Sequence, residues 1–299
     1  MSTAPTTEAP LLTVTPSGRN TAASPLRYPG GKAALARLFG QIIDRLGLTS
    51  PKYVEPFAGG AGAGIALLQR DQIDELVIND VDPAVHAFWR SVADNADELA
   101  TLVAETPLTV DEWRAQKEAY RNPDHSAPLT LGFAFFYLNR TNRSGILNAG
   151  PIGGMNQSGN YKIDARFNRE KLAERIRAIG ELSDRITVLS NDGVAVTRKY
   201  VKDPSAFLYV DPPYVDMGGS LYMNAFTHRD HSDLAGALDA APESTWLLTY
   251  DPSNFIRYLY RRHDIREYQL SYSAHRAGKT NELMIASRPV AKTLETYEP

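Results

Sequence analysis

The sequence predicts an α/β fold: a doubly wound sheet with helices on both faces, interrupted by an inserted helical plus β-hairpin segment. Three observations carry this. Apolar runs of strand length recur along the 299 residues, and helix-length intervals separate most of them, as parallel strands require. The first two predicted strands, Tyr53-Val54-Glu55 and Leu76-Val77-Ile78, flank a Gly-rich turn and an apolar helix, and the acidic residue Asp80 follows about twenty positions after the turn. Between them and the later strands stands a long helical stretch, then a Gly- and Asn-rich segment with neither period.

Residues 1–23 are Thr-, Ser-, Pro- and Ala-rich without periodicity and read as a disordered leader. Order is expected to begin at residue 24 and to pass into a helix ending near residue 46. The first strand runs into Pro56-Phe57-Ala58-Gly59-Gly60-Ala61-Gly62 and a helix over 63–70. Residues 83–139 read as helical, and 142–164 as a β-hairpin or long ordered loop. A helix over 169–182 returns the chain to the sheet. Further strands are expected at 186–189, 206–210, 246–249, 265–271 and 282–286. Residues 24–82 and 166–299 then form one catalytic domain, and 83–165 an insertion suited to target recognition.

A composition of 43% hydrophobic and 22% charged residues is that of an ordinary globular protein. No apolar run is long enough to span a bilayer, and the N-terminus lacks a signal-peptide layout, so a cytoplasmic location is expected. With no cysteine, disulfides, thiolate chemistry and zinc–cysteine sites are excluded. The net charge of −3 is unevenly spread: −9 over 71–124, against +4 over 137–171 and +4 over 257–279. Such a chain can turn basic segments toward a polyanion, although solvated helix faces account for the charges equally well.

The most informative motif is Asp211-Pro212-Pro213-Tyr214, directly after the apolar run 206–210. Two prolines fix the backbone and preset a carbonyl direction. The stiff turn presents a carboxylate, a carbonyl and a ring. An amine on a planar heterocycle can donate to Asp211 and to the Pro212 carbonyl while Tyr214 stacks on the ring. The bland alternative is a Pro-Pro turn that closes a strand.

The Gly-rich turn lacks the full dinucleotide pattern, and Glu55 precedes it. A carboxylate there repels phosphate and attracts a cation. S-adenosylmethionine, with a sulfonium, an ammonium and no phosphate, fits better than a nucleotide phosphate cofactor. Asp80 ends a strand where it can accept both ribose hydroxyls, or it caps the helix that begins near Pro83. Asp192 can accept from the cofactor adenine amine, or cap the helix that starts near Val194. His125, His228 and His231 lie in polar stretches, as exposed loop or capping positions, and no histidine spacing suits a metal.

Together these motifs resemble the Dam-like class of DNA adenine-N6 methyltransferases, over about residues 25–289. Pro25-Leu26-Arg27-Tyr28-Pro29-Gly30-Gly31-Lys32 is similar to that family's N-terminal cofactor segment, and the resemblance implies that Tyr28 and Lys32 touch S-adenosylmethionine. Glu55-Pro56-Phe57-Ala58-Gly59-Gly60 resembles its glycine motif, which implies cofactor roles for Glu55, Phe57, Gly59 and Gly60. Asp80 and Asp192 match its ribose- and adenine-binding positions. Asp211, Pro212, Pro213 and Tyr214 match its catalytic motif, with no metal needed. The implied architecture is a Rossmann-like methyltransferase sheet with an inserted target-recognition domain. The implied activity is methylation of a flipped-out adenine in double-stranded DNA, with a cognate restriction endonuclease left open as a partner. Residues 137–141 and 159–168 resemble the framework of its recognition hairpin. The hairpin itself departs from the Phe-Asn-Gly pattern of GATC-recognising members, so the recognition sequence does not carry over.

Arg140, Arg143 and Lys162, which flank that hairpin, and Asn148, Asn156 and Gln157 within it are the candidates for reading base edges. The loop His275-Arg276-Ala277-Gly278-Lys279-Thr280 offers Arg276 and Lys279 to phosphate, or simply to solvent. Two other functions stay open: a methyltransferase acting on cytosine N4, RNA or a protein amide, and a non-catalytic DNA-binding protein that retains the fold.

Overall fold

The computed structural model describes residues 11–14, 23–27, 32–124, 127–215, 226–270 and 281–297. Among them, eight strands form one sheet: β1 Leu11–Val14, β2 Lys52–Glu55, β3 Glu75–Asn79, β4 Ile186–Leu189, β5 Ala206–Val210, β6 Thr245–Tyr250, β7 Asp264–Leu270 and β8 Glu282–Ala286. Their order across the sheet is β1-β7-β8-β6-β5-β2-β3-β4. The chain builds outward from β2 in one direction to β3 and β4, and from β5 in the other to β6. The strand order therefore reverses between β2 and β5, the place where such sheets open a crevice at the strands' carboxyl ends. The turn after Glu55 and the turn after Val210 both start there. The pairs β6–β8 and β7–β8 are antiparallel, so β8 begins at the same edge where β5 and β6 end.

β5 is apolar throughout, and β2, β3 and β6 are apolar at their middle residues, because both faces are covered. Tyr53, Leu76, Ile78, Phe207 and Tyr209 face one cluster, and Val54, Val77, Leu208 and Val210 the other. The first cluster packs against α1 Ala36–Leu46, α2 Gly62–Leu68, α3 Pro83–Asp94, α4 Ala96–Glu105, α6 Pro128–Thr141 and α7 Arg169–Gly180. The second lies under α8 Gly193–Tyr200, α9 His228–Asp239 and α10 Asn254–Leu259. The remaining helices are α5 Val110–Arg121 and α11 Arg288–Glu295. Among the described residues no helix is long and apolar enough to cross a membrane.

Two expectations change. The stretch 11–14 of the expected disordered leader is an edge strand, parallel to β7 with Leu11 opposite Glu267. Residues 142–160 are not a two-stranded ribbon: a short 3₁₀ turn at Arg143–Gly145 and a lone bridge between Asn142 and Pro151 stand there instead. Positive φ at Ser144, Gly145, Gly153 and Gly154 turns the chain too tightly for a ladder. Side-chain amides do the pairing. Asn142 Nδ2 donates to the Ile146 and Leu147 carbonyls at 2.9 and 3.0 Å, and Gln157 Nε2 to those of Ile152 and Gly154 at 2.8 and 2.7 Å.

Candidate active site

The turn after β2 is tied down from beneath. Gly59 and Ala61 both adopt positive φ. Asp80, at the end of β3, accepts the Gly59 N–H on Oδ2 and the Asp82 N–H on Oδ1, each at 2.9 Å. Burial pushes its carboxyl up to about 6 despite those two donors. Trp89 Nε1 on α3 donates to the Gly59 carbonyl at 2.9 Å. Asn79, fully buried, donates to the Pro56 and Asn191 carbonyls at 2.8 and 2.9 Å, linking the turns after β2 and β4. Gly59 and Gly60 are buried.

Glu55 is 4% exposed, and its Oε1 accepts the Gly64 N–H at 3.1 Å. Burial raises its carboxyl to about 8, so near neutrality it holds its proton in the free protein. Phe57 is half-buried against Gly193, where a Cβ would lie 2.3 Å from its ring. Asp192 is exposed and caps α8 through the Ala195 N–H at 2.8 Å. Tyr28 lies outside the described residues.

The turn after β5 sits in a denser network. Asp211 Oδ1 accepts hydrogen bonds from the Thr249 hydroxyl at 2.7 Å and the Tyr214 hydroxyl at 3.2 Å. Tyr209 in turn bonds the Thr249 hydroxyl at 2.8 Å. Lys32 Nζ lies 3.6 Å from Asp211 Oδ2, 3.0 Å from Glu282 Oε2 and 2.9 Å from the Tyr214 oxygen. Tyr268 donates to Glu282 Oε2. Burial raises the Asp211 carboxyl, while the Lys32 ammonium and the Thr249 and Tyr214 hydrogen bonds pull it back and Glu282 adds to the rise. Burial and the two nearby carboxylates push the Tyr214 hydroxyl far up, so it remains a neutral donor. Pro212 is buried, and Pro213 and Tyr214 are half-buried.

Sequence reasoning missed Thr249, Tyr268 and Glu282. Thr249 and Tyr268 lie within two residues of the ends of β6 and β7, and Glu282 begins β8, but only the pairing of β8 against β6 and β7 brings Glu282 to Lys32. His231 was expected to be exposed. It is fully buried on the inner side of α9, with Nδ1 2.7 Å from the Tyr250 hydroxyl, because it occupies a core-facing helical position. Among the described residues no group of three or more acidic or histidine side chains could hold a metal.

The candidates for DNA contact divide. Arg143, Asn148, Asn156 and Lys162 are exposed, whereas Gln157 is spent inside the loop, where its Oε1 also accepts the Ile163 N–H at 2.9 Å. Arg140 is half-buried in the last turn of α6, and no acceptor among the described residues reaches its Nε. Burial, together with Arg27, Arg175 and Arg166, lowers it to about 10, so it stays charged. Arg276 and Lys279, with the rest of the 275–280 loop, lie outside the described residues.

Residues 28–274 match the family described as D12 class N6 adenine-specific DNA methyltransferase. The Type II methyltransferase M.MjaIII of Methanocaldococcus jannaschii is 25% identical over 225 residues, covering 70% of this chain and 74% of that protein. Among solved structures, the rRNA methyltransferase aviRa from Streptomyces viridochromogenes aligns over 89% of each chain, at 15% identity and a TM-score of 0.37.

Proposed function

Since the chain belongs to the D12 class N6 adenine-specific DNA methyltransferases, which move a methyl group from a donor to adenine N6 in DNA, we propose how its residues divide that work. The observation that carries the proposal is the juxtaposition of Asp211-Pro212-Pro213-Tyr214 with the glycine turn at the β2–β5 reversal. The proposed donor is S-adenosylmethionine. Asp80, Asp211 and Glu282 stand at one sheet edge against Lys32, a balance that suits a cationic donor and repels a diphosphate. When bound, the donor supplies a methyl group on a positively charged sulfur. Glu55, Phe57, Gly59, Gly60, Asp80 and Asp192 are assigned to hold it, with Tyr28. Lys32, packed against Asp211, is assigned to both halves of the crevice.

Adenine N6 is a poor nucleophile because its lone pair is delocalised. Acceptance of its two N–H groups by Asp211 and the Pro212 carbonyl favours a pyramidal nitrogen and stabilises the positive charge that develops there. Positioning supplies much of the remaining acceleration. The base is out of reach within a duplex, so it must be flipped, with Tyr214 stacking on it. Tyr214 is tethered to Asp211 in the free protein, so base entry must displace that hydroxyl.

For target recognition we assign residues 83–165, with exposed Arg143, Asn148 and Lys162 facing the groove and Arg140 placed for phosphate rather than bases. Arg276 and Lys279 are assigned to phosphate. The likeness to a Type II methyltransferase supports a modification enzyme of that type; the reading adds double-stranded DNA as substrate, a cytoplasmic location and, if the enzyme belongs to a restriction system, a cognate endonuclease as partner. Incubation with labelled S-adenosylmethionine and unmethylated DNA, followed by nucleoside digestion and sequencing, tests the proposal. Label in N6-methyladenine at one short site is expected. Label in cytosine, or none from S-adenosylmethionine, overturns it.

A further inference from the structure

Asp211 does not have Lys32 to itself. The ammonium is buried, with 5% of its side chain exposed, and lies closer to Glu282 (3.0 Å) than to Asp211 (3.6 Å). Two carboxylates sharing one ammonium leave an excess negative charge in a recess, which is costly unless hydrogen bonds meet it. Donors are present: Tyr268 donates to Glu282 Oε2, and the Tyr214 hydroxyl, with a single proton, lies 3.2 Å from both Glu282 Oε2 and Asp211 Oδ1, so the two carboxylates share it. Glu282 is therefore held by donors from β7, from the turn after β5 and from the segment before α1. Nothing in the assigned chemistry yet uses it.

We propose that Glu282 is a positioning residue for methyl transfer: it draws Lys32 partly away from Asp211, so that the Asp211 carboxylate stays basic enough to take the proton released by the amine. This deepens the assignment of Asp211 and rests on it. As N6 forms its bond to the methyl carbon and the carbon–sulfur bond breaks, the nitrogen becomes positively charged. It returns to neutrality by giving one N–H proton to an Asp211 oxygen. Lys32 bound to Asp211 alone would make that oxygen a weaker acceptor, and without the lysine burial would raise the carboxyl further. Glu282 sets the level between these extremes.

The other groups facing Asp211 do not share this role. Tyr53 from β2, Tyr209 from β5, Tyr214, Tyr250 from β6 and Tyr268 from β7 are all held neutral by burial. Glu55 from β2 ionises only near 8. Among the described residues, Lys32 and Glu282 are the charged side chains that shift Asp211, in opposite directions.

Carboxyl-carbon NMR of the ligand-free protein, with Asp211 assigned by its loss in Asp211→Asn, reads the titration directly. Glu282→Gln is expected to lower the Asp211 midpoint by about one pH unit, and Lys32→Met to raise it by about as much. Glu282→Asp, which withdraws the carboxylate by one methylene, shifts it the same way as Gln but less, and serves if the Gln variant does not fold. The acid limb of single-turnover methyl transfer should move in the same sense, with the plateau rate in Glu282→Gln falling about tenfold. A midpoint that stays put or rises in folded Glu282→Gln overturns the inference. Retained turnover in Asp211→Ala instead brings down the assignment beneath it.

Discussion

The crevice at the ends of β2 and β5 and the loop over 142–164 are held by opposite means. In the crevice, side chains satisfy one another across long sequence distances: Lys32 meets Asp211 and Glu282, and Thr249 meets Asp211. In the loop, side chains satisfy nearby backbone. Asn142 Nδ2 and Gln157 bond groups within six residues, and Lys162 Nζ bonds the Gln157 carbonyl at 2.6 Å, while α5 adds two outside ties: Trp113 Nε1 donates to Asn142 Oδ1 at 2.6 Å and Lys117 to the Leu147 carbonyl. The loop's outer surface carries Ile146, Met155 and Tyr161, the last 72% exposed. Strand ends inherit the precision of the sheet, which suits chemistry that depends on placement. A loop that keeps its own shape can change its exposed residues at little cost to the fold, which suits recognition.

The sharpest way to break this contrast is Asp211→Ala. Transfer should fall by about two to three orders of magnitude, while donor affinity measured by calorimetry stays within a few-fold. Turnover above about a tenth of normal would place the chemistry elsewhere.

Glu55 tests whether the crevice is built at the expense of the fold. Its folded-state carboxyl titrates near 8, against an ordinary 4.5. Between those values the native state keeps a proton that the unfolded chain has lost, so stability present at low pH declines as pH rises toward 8. Glu55→Gln should therefore stabilise the free protein by about 3 kcal/mol at pH 7 and by almost nothing near pH 4. The same variant should bind the cationic donor more weakly. Denaturant unfolding at both pH values, with donor titration beside it, checks the sign. A variant less stable at pH 7 than at pH 4, relative to wild type, would show that Glu55 is ionised in the fold.

Asp80→Ala should weaken donor binding roughly ten- to a hundred-fold, whatever DNA is supplied, because a buried charge-assisted bond of about 1.5–3 kcal/mol is lost. Unchanged affinity would move the donor off the glycine turn.

On the loop side the effects are smaller and of a different kind. Arg143→Ala should cost about 1–3 kcal/mol of discrimination at one base position and leave the transfer rate on the preferred site nearly intact. Gln157→Ala removes the loop's own ties and should blur preference at several positions together. Methylation profiling on a randomised DNA library separates the two. Identical site preference in both variants would make the loop a lid rather than a reader.

Local order was legible in the chain because it rests on local causes. The apolar runs of β2, β3, β5 and β8, the glycine turn after Glu55, the Pro-Pro turn after β5 and the acidic strand ends at Asp80 and Asp211 follow from periodicity and from backbone restrictions within a few residues. Partners across the fold were not legible. Hydrophobic pattern says which side of an element is buried but not what it meets, so Glu282 reads only as the start of a strand and His231 as an exposed loop or capping residue. Residues 11–14 carry too little apolar pattern to announce a strand, and only the open edge of β7 gives them a ladder. The 142–160 segment has the composition of a hairpin, yet amide side chains that bond its own carbonyls compete with the ladder and prevail. The sequence alone determined strands β2 to β8 and the turns that follow β2 and β5. Tertiary structure decided how much charge surrounds Asp211, because burial and shared ion pairs depend on residues about 180 and 70 positions away that meet only in the fold.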